Sequence, residues 1–198
     1  MFDFLHNFSQ WQYVLSVLIG VGLAAAAGFR VFLPMFVASL AAHFGWLDFG
    51  ESFQWLSGMP ALIVTGVATF VEILAYYIPF VDHLLDTLAV PMASIAGTLL
   101  FASQFVDTGT LPQWALALIA GGGTAATIST AFAGTRVAST GTTGGVGNSI
   151  VSTTETAGAA LVSILAIAVP VLAFIVVLVL LFLIFRLGKK IFHKKVKQ

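Results

Sequence analysis

ILAIAVPVLAFIVVLVLLFLIF, residues 164–185, decides the fold class: none of its side chains can make a hydrogen bond. A helix crosses the hydrocarbon core of a bilayer in about 20 apolar residues, so this stretch alone reads as a membrane span. Immediately beyond it the character reverses. Six of the eight basic residues (Arg186, Lys189, Lys190, Lys194, Lys195 and Lys197) stand in the last thirteen positions. The positive-inside rule places this tail, residues 188–198, in the cytoplasm, and a topology anchor explains it more simply than a lipid-regulated polybasic switch.

Working back toward the N-terminus, apolar segments cover about 12–44, 60–78, 82–103, 112–134 and 150–187. Hydrophobic residues make up 59% of the 198, charged residues 8%, and the mean hydropathy is +1.04. Soluble domains carry roughly 25% charged residues, which excludes a soluble enzyme, a nucleic-acid binder and a disordered chain. The absence of Cys removes disulfides, thiolate metal sites and thiol chemistry. The expected fold is an all-α, polytopic transmembrane helical bundle of about five spans, forming one domain over residues 1–187.

The first and last segments are too long for one upright span, and each carries breakers: Gly28 and Pro34 in one, Pro170 in the other. Broken or kinked helices follow, and each segment can divide into two shorter pieces. Val14–Ala27 imitates a signal-peptide core, but residues 1–12 hold Asp3 and His6 and no Lys or Arg. A retained first span is therefore expected. Five spans with a cytoplasmic C-terminus put the N-terminus outside, consistent with that lack of positive charge; six would put it inside. All four Trp (Trp11, Trp46, Trp55, Trp114) fall at or just outside span ends, where the headgroup layer favours them. GWLDFGESFQWLSGM, residues 45–59, reads as a segment lying on the membrane surface.

Short motifs recur in order. Ala27-Gly28-Phe29-Arg30-Val31 returns as Ala133-Gly134-Thr135-Arg136-Val137, Thr69-x-x-Glu72 as Ser152-x-x-Glu155, and Leu88-Ala89-Val90-Pro91 as Ile167-Ala168-Val169-Pro170. Their shared order suggests a repeat, residues 12–103 against 112–187, and in the five-span topology the two Arg-bearing helices run in opposite directions, which would make it an inverted repeat with a site near the midplane. Chance similarity in a chain rich in Ala, Gly and Val is the competing explanation.

Outside the tail and the loop charges Asp3, Asp48, Glu51 and Asp107, six ionisable acids and arginines remain: Arg30, Glu72, Asp82, Asp86, Arg136 and Glu155. Each costs about 2.5–3.5 kcal/mol at the centre of a membrane helix unless it pairs or lines a wet cavity. Glu72 stands in a stripe with Thr65, Thr69 and Tyr76, spaced to share one helix face, and suits proton exchange, cation binding or a buried pair with an arginine. Pro79 is expected to stop the second span and Asp82 to cap the third. Asp86 lies one turn on and is left unexplained by capping. Asp82, His83 and Asp86 make a weak metal set, and no metal or other cofactor is expected.

Residues 134–156, GTRVASTGTTGGVGNSIVSTTET, concentrate Gly, Thr and Ser between apolar flanks. A non-helical, re-entrant or cavity-lining segment is expected there, offering carbonyls and the hydroxyls of Thr142 and Thr143 to an ion or headgroup; the simpler alternative is an external loop. GGVGN, residues 144–148, has no preceding strand and is no nucleotide fingerprint. No spacing suggests a Ser-His-Asp arrangement, so no enzyme is expected. Small-residue stripes (Gly20, Ala24, Ala27; Ala89, Ala93, Gly97; Gly121–Gly123) point to close helix packing.

Together, GFRVFLP (28–34), FVEILA (70–75), IPFVDHLLD (78–86), GTRV (134–137) and GNSIVSTTE (147–155) resemble a bacterial integral-membrane family known as a domain of unknown function. The resemblance runs from about Gly20 to Leu181. It implies a polytopic cytoplasmic-membrane protein whose polar positions fall on Arg30, Glu72, Asp82, Asp86, Arg136, Asn148 and Glu155. This chain departs from the pattern at Tyr76 and Tyr77, where the family tends to carry charge, and at Thr156, where a second acid is common.

These readings converge on a small, homo-oligomeric transporter or channel. Glu72 and Glu155 would bear the charge, Arg30 and Arg136 would be their counter-ions, and residues 140–149 would supply backbone ligands. Four acids against two arginines favour a cation or a proton-coupled solute. Membrane lipids are the expected surroundings, and nucleic acid is not an expected partner. Lipid-headgroup binding or scrambling is the alternative, from the polar stripe beside wholly apolar helices. A non-transporting assembly protein is the third reading.

Overall fold

The computed structural model describes residues 2–105 and 111–195, and every regular element among them is helical. Asp107 and Lys197 lie outside the described residues, as do the side chains of Asp3, His6, His83, Lys194 and Lys195. The elements are α1 (Phe2–Phe29), α2 (Phe32–His43), a 3-10 helix (Glu51–Ser57), α3 (Met59–Ala75), α4 (Pro79–Ala102), α5 (Leu111–Leu116), a π-helical stretch (Ala117–Gly122), α6 (Gly123–Thr143), α7 (Asn148–Ala168) and α8 (Pro170–Lys195). The chain is a polytopic helical bundle.

Both overlong segments divide, each for a local reason. Residues 12–44 break at Arg30 and Val31, and Pro34 then falls in the first turn of α2, where its missing N–H costs nothing. Residues 150–187 break at Val169 (φ −141, ψ 72), which leaves the helical region because Pro170 follows it. Among the described residues five helices are long and apolar enough to cross a membrane: Trp11–Phe29, Leu84–Ala102, Leu111–Thr143, Asn148–Ala168 and Pro170–Lys190. The number matches the expectation but the division differs. The last segment yields two of the five, whereas α3, at 17 residues, reaches span length only with the 3-10 helix, across a bend of 65°.

A second difference concerns the Gly-rich stretch. Residues 134–156 are not an extended irregular segment: α6 continues to Thr143, a short turn covers Gly144–Gly147, and α7 begins at Asn148. Within this stretch Gly144 (φ +64) and Gly145 (φ +94) use the left-handed backbone open to glycine, and they end α6 as its C-terminal cap. Gly141 stays helical; its propensity penalty, about 1 kcal/mol, is small beside that of leaving backbone groups unpaired in an apolar medium.

Contacts order the helices by direction. Phe32 sits by Glu72, Phe36 by Gly66 and Ser39 by Leu56, so α2 and α3 form an antiparallel hairpin. At its far end the Gly50 N–H donates to the Ser103 carbonyl at the close of α4 (2.9 Å), and Phe53 packs on Trp114. Trp11, Trp46, Trp55 and Trp114 therefore all lie toward one end of the bundle, all exposed, as an interfacial belt requires. The surface segment 45–59 is anchored there through buried Leu47, Phe53 and Leu56. The 19 residues from Trp11 to Arg30 span roughly 28 Å at helical rise, nearly a hydrocarbon thickness.

Small residues bring the central helices together. A methyl group on Gly121 would lie 2.5 Å from the Gly97 carbonyl oxygen, one on Gly22 2.6 Å from Ala166 Cβ, and one on Gly28 2.7 Å from the Ala125 carbonyl oxygen. Ala24, Ala27 and Ala93 are buried in the same layer. The opposite faces of α3 (Ile63, Val67, Phe70) and α8 (Val171, Ile175, Phe182) are exposed, as lipid contact demands.

Candidate functional site

At the end of the bundle remote from the tryptophans, α1, α3 and α6 arrive while α4 and α7 depart, and the ionisable residues meet there. Arg136, near the end of α6, is the hub. Its Nε donates to Glu155 Oε1 (3.0 Å) and its Nη2 to Glu155 Oε2. Its Nη1 donates to Asp82 Oδ1 (2.5 Å) and lies 3.3 Å from Asp86. Arg136, Asp82 and Glu155 are each about 3% exposed, whereas the Asp86 side chain is 25% exposed. A guanidinium shared among three carboxylates supplies the pairing that buried charge needs.

Arg30 enters from the break between α1 and α2. Its Nη2 donates to the Ser152 carbonyl oxygen (2.9 Å) and hydroxyl (2.5 Å) and lies 3.5 Å from Glu155 Oε2, while its Nε donates to Thr156 Oγ1 (3.1 Å). Glu155 thus joins the two arginines. Both guanidinium carbons also lie against the Tyr76 ring, 3.9 and 4.2 Å from its centroid, within cation–π range. Among the described residues the buried Arg30 Nη1 has no hydrogen-bond partner.

Glu72 does a different job. Its two carboxylate oxygens accept the backbone N–H groups of Val31 (2.9 Å) and Phe32 (3.0 Å), so α3 caps the start of α2. The end of a helix where N–H groups lack intrahelical partners favours an anion. The stripe of Thr65, Thr69 and Glu72 is buried as its spacing implied, with both threonine hydroxyls bonded back to their own helix.

Asp82 is not the cap of α4. That helix starts at Pro79, with Ile78 as its extended N-cap, so proline opens the helix instead of ending the previous one. Asp82 falls one turn inside, where its side chain takes Arg136 and the Asn148 amide (3.1 Å). Asn148 Nδ2 also donates to Thr140 Oγ1 (3.1 Å). Thr142 and Thr143 do not join the cluster: both are exposed on α6 and donate to the Ala138 and Ser139 carbonyls one turn back. A threonine in a continuous helix satisfies its hydroxyl that way, so the expectation for these two fails with the irregular segment that motivated it.

Tyr76, Ser152 and Thr156 belong to the site although charge counting passed over them. Their signal was positional: Tyr76 follows Glu72 by one turn, and Ser152 and Thr156 flank Glu155 on one face of α7. Thr156, where a second acid was expected from the resemblance, instead gives Arg30 a neutral acceptor. The repeated motifs occupy unlike structures: Arg30 lies in a break and Arg136 within a helix, and Pro91 lies inside α4 whereas Pro170 opens α8.

Beside the network, between the α3–α4 and α6–α7 turns, a cavity of about 340 Å³ is walled by Tyr76, Tyr77, Asp82, Thr140, Asn148 and Ser149. A second space of about 20 Å³ touches Arg136, Glu155 and Asp86, enough for one water molecule. Among the described residues no three His, Cys, Asp or Glu side chains are arranged to hold a metal ion.

Fold and site together define a polytopic helical membrane protein with a buried ion-pair network at one end of its bundle. The chain belongs to the family described as Domain of unknown function (DUF4126), whose model matches residues 17–190 and so spans every residue of the network. No curated protein and no solved structure matches the chain.

Proposed function

We propose that this protein moves a small cation, or a solute coupled to protons, across the membrane, with the Arg136 network as an ion-pair gate. The observation that carries this reading is the convergence of Arg30, Asp82, Asp86, Arg136 and Glu155, from four parts of the chain, beside a cavity. Ion pairs that served only to offset burial would be replaceable by apolar side chains at no loss of stability. With Glu72, four acids face two arginines, so a cation entering from the cavity competes with Arg136 for Asp82. Displacing Arg136 then opens Glu155. In this reading the protein lies in a bacterial inner membrane with its basic tail cytoplasmic, and copies associate through the exposed apolar faces.

The test is flux into proteoliposomes, using rubidium and a proton-sensitive dye. Glu155→Gln and Asp82→Asn should each lower flux at least tenfold while the protein stays monodisperse in detergent. Unchanged flux in both variants refutes the gate.

Lipid-headgroup handling is a second reading, supported by depth: Arg30 stands roughly 28 Å along α1 from Trp11, so with Trp11 in one headgroup layer Arg30 would fall near the other. A fluorescent-lipid reduction assay separates the two, because scrambling exposes inner-leaflet label to the reductant and ion flux does not.

A further inference from the structure

A residue that lines the cavity beside the network carries a buried acceptor with nothing to accept. Asn148 is 5% exposed, and among the described residues its Oδ1 has no hydrogen-bond partner, so a ligand in the cavity reaches it by a small turn of the side chain. The amide cannot simply turn over, because its Nδ2 donates to the carboxylate of Asp82 and to Thr140 Oγ1, and a carboxylate facing an amide oxygen would be repelled. A buried amide oxygen left unsatisfied costs about 1–3 kcal/mol, so this position calls for a donor. The surroundings define which kind. The Thr140 and Ser149 hydroxyls on the same wall offer further lone pairs, Asp82 stands behind them, and the neighbouring ionised groups carry two more negative than positive charges. Tyr76 and Tyr77 add aromatic rings, the first already bearing two guanidinium groups. A donor that is also a cation, small enough for about 340 Å³, meets all of these conditions.

We propose that this cavity binds a primary ammonium group, its N–H bonds directed to Asn148 Oδ1 and to the Thr140 and Ser149 hydroxyls, with Tyr77 as an aromatic wall. The assignment names a substrate class for the transport reading and rests on it. A soluble amine and an ethanolamine headgroup share this chemistry.

The experiment titrates purified full-length protein in detergent with methylammonium, ethanolamine and tetramethylammonium, followed by calorimetry and thermal shift. Methylammonium and ethanolamine should bind saturably. Tetramethylammonium, equal in charge but without N–H groups, should bind at least tenfold more weakly, the factor a charge-assisted hydrogen bond supplies. Asn148→Ala should weaken methylammonium by a similar factor. Because that change also removes a partner from Asp82, Tyr77→Ala at an exposed position serves as the second variant and should weaken binding several-fold. Equal affinity for methylammonium and tetramethylammonium, or saturable binding of neither, overturns the assignment.

The same titration in nanodiscs separates the sources. Competition by phosphatidylethanolamine but not phosphatidylcholine assigns the site to the headgroup; equal methylammonium affinity in both lipids assigns it to a soluble amine. Glu155-dependent rubidium or proton flux without amine binding overturns this inference alone. Amine binding without flux overturns the transport reading, and with it the amine as a transported substrate, and leaves only an amine-binding site.

Discussion

Replacing Arg136 with methionine tests whether the network is one energetic unit. In the native fold that guanidinium makes two hydrogen bonds to Glu155, one to Asp82 and a 3.3 Å contact with Asp86. Its removal leaves Asp82 with the Asn148 amide and Glu155 with Arg30 at 3.5 Å, both carboxylates almost wholly buried. Asp86, a quarter exposed, can take up water and adds little. Breaking one buried ion pair costs about 3–5 kcal/mol, and two buried carboxylates lose their partner here, so the upper half of that range is expected. Arg136→Lys should fall between, because an ammonium keeps the charge but not the fork that holds Glu155 at two points. Pairing Arg136→Met with Glu155→Leu should recover only part of the loss, since it also takes the carboxylate from buried Arg30 and leaves Asp82 unpaired. Unfolding of bicelle-reconstituted protein by SDS, followed by circular dichroism, on these proteins and on Glu155→Leu alone gives the free energies and the coupling between the sites. A cost below about 1 kcal/mol for Arg136→Met, with no coupling to Glu155, would mean that the carboxylates are hydrated as at a surface and would remove the basis of the gate.

Two further outcomes follow from packing and capping. Gly121→Ala puts a methyl 2.5 Å from the Gly97 carbonyl oxygen and 2.6 Å from Phe101 Cβ, and should cost about 1–3 kcal/mol; Gly123→Ala, with nothing within 4 Å, should be neutral or stabilising, and equal melting temperatures would contradict the helix contact. Glu72→Ala should lose about 1–2 kcal/mol by uncapping α2, and Glu72→Gln less, since one oxygen still accepts; faster hydrogen exchange confined to the start of α2 would mark this role, and uniform exchange would argue against it.

Much of the site was legible before any coordinates. Ionised side chains are so costly in hydrocarbon that those few inside the spans had to meet, and Arg30, Asp82, Asp86, Arg136 and Glu155 do. Individual roles were not legible. Glu72 carries the same charge as Glu155, yet one caps a helix and the other bridges two arginines, because the break after Phe29 turns free N–H groups toward α3. Asp82 looked like a cap because proline was taken as a stop; Pro79 instead starts α4. Thr142 and Thr143 failed as site residues because glycine content signalled an irregular segment where the helix runs on.

Composition and hydropathy alone dictate that this chain lives in a membrane as helices, because a lipid medium permits few other ways to satisfy the backbone. The break at Val169 follows from the local cost of Pro170, whereas Pro91 lies inside α4 without ending it, so proline alone does not fix every boundary. Tertiary contact decides the rest. Which helices return on themselves, which carboxylate faces which guanidinium, and that the charges gather at one end of the bundle depend on packing across glycine and alanine surfaces far apart in the chain. Pairwise contacts of that kind leave no period in the sequence.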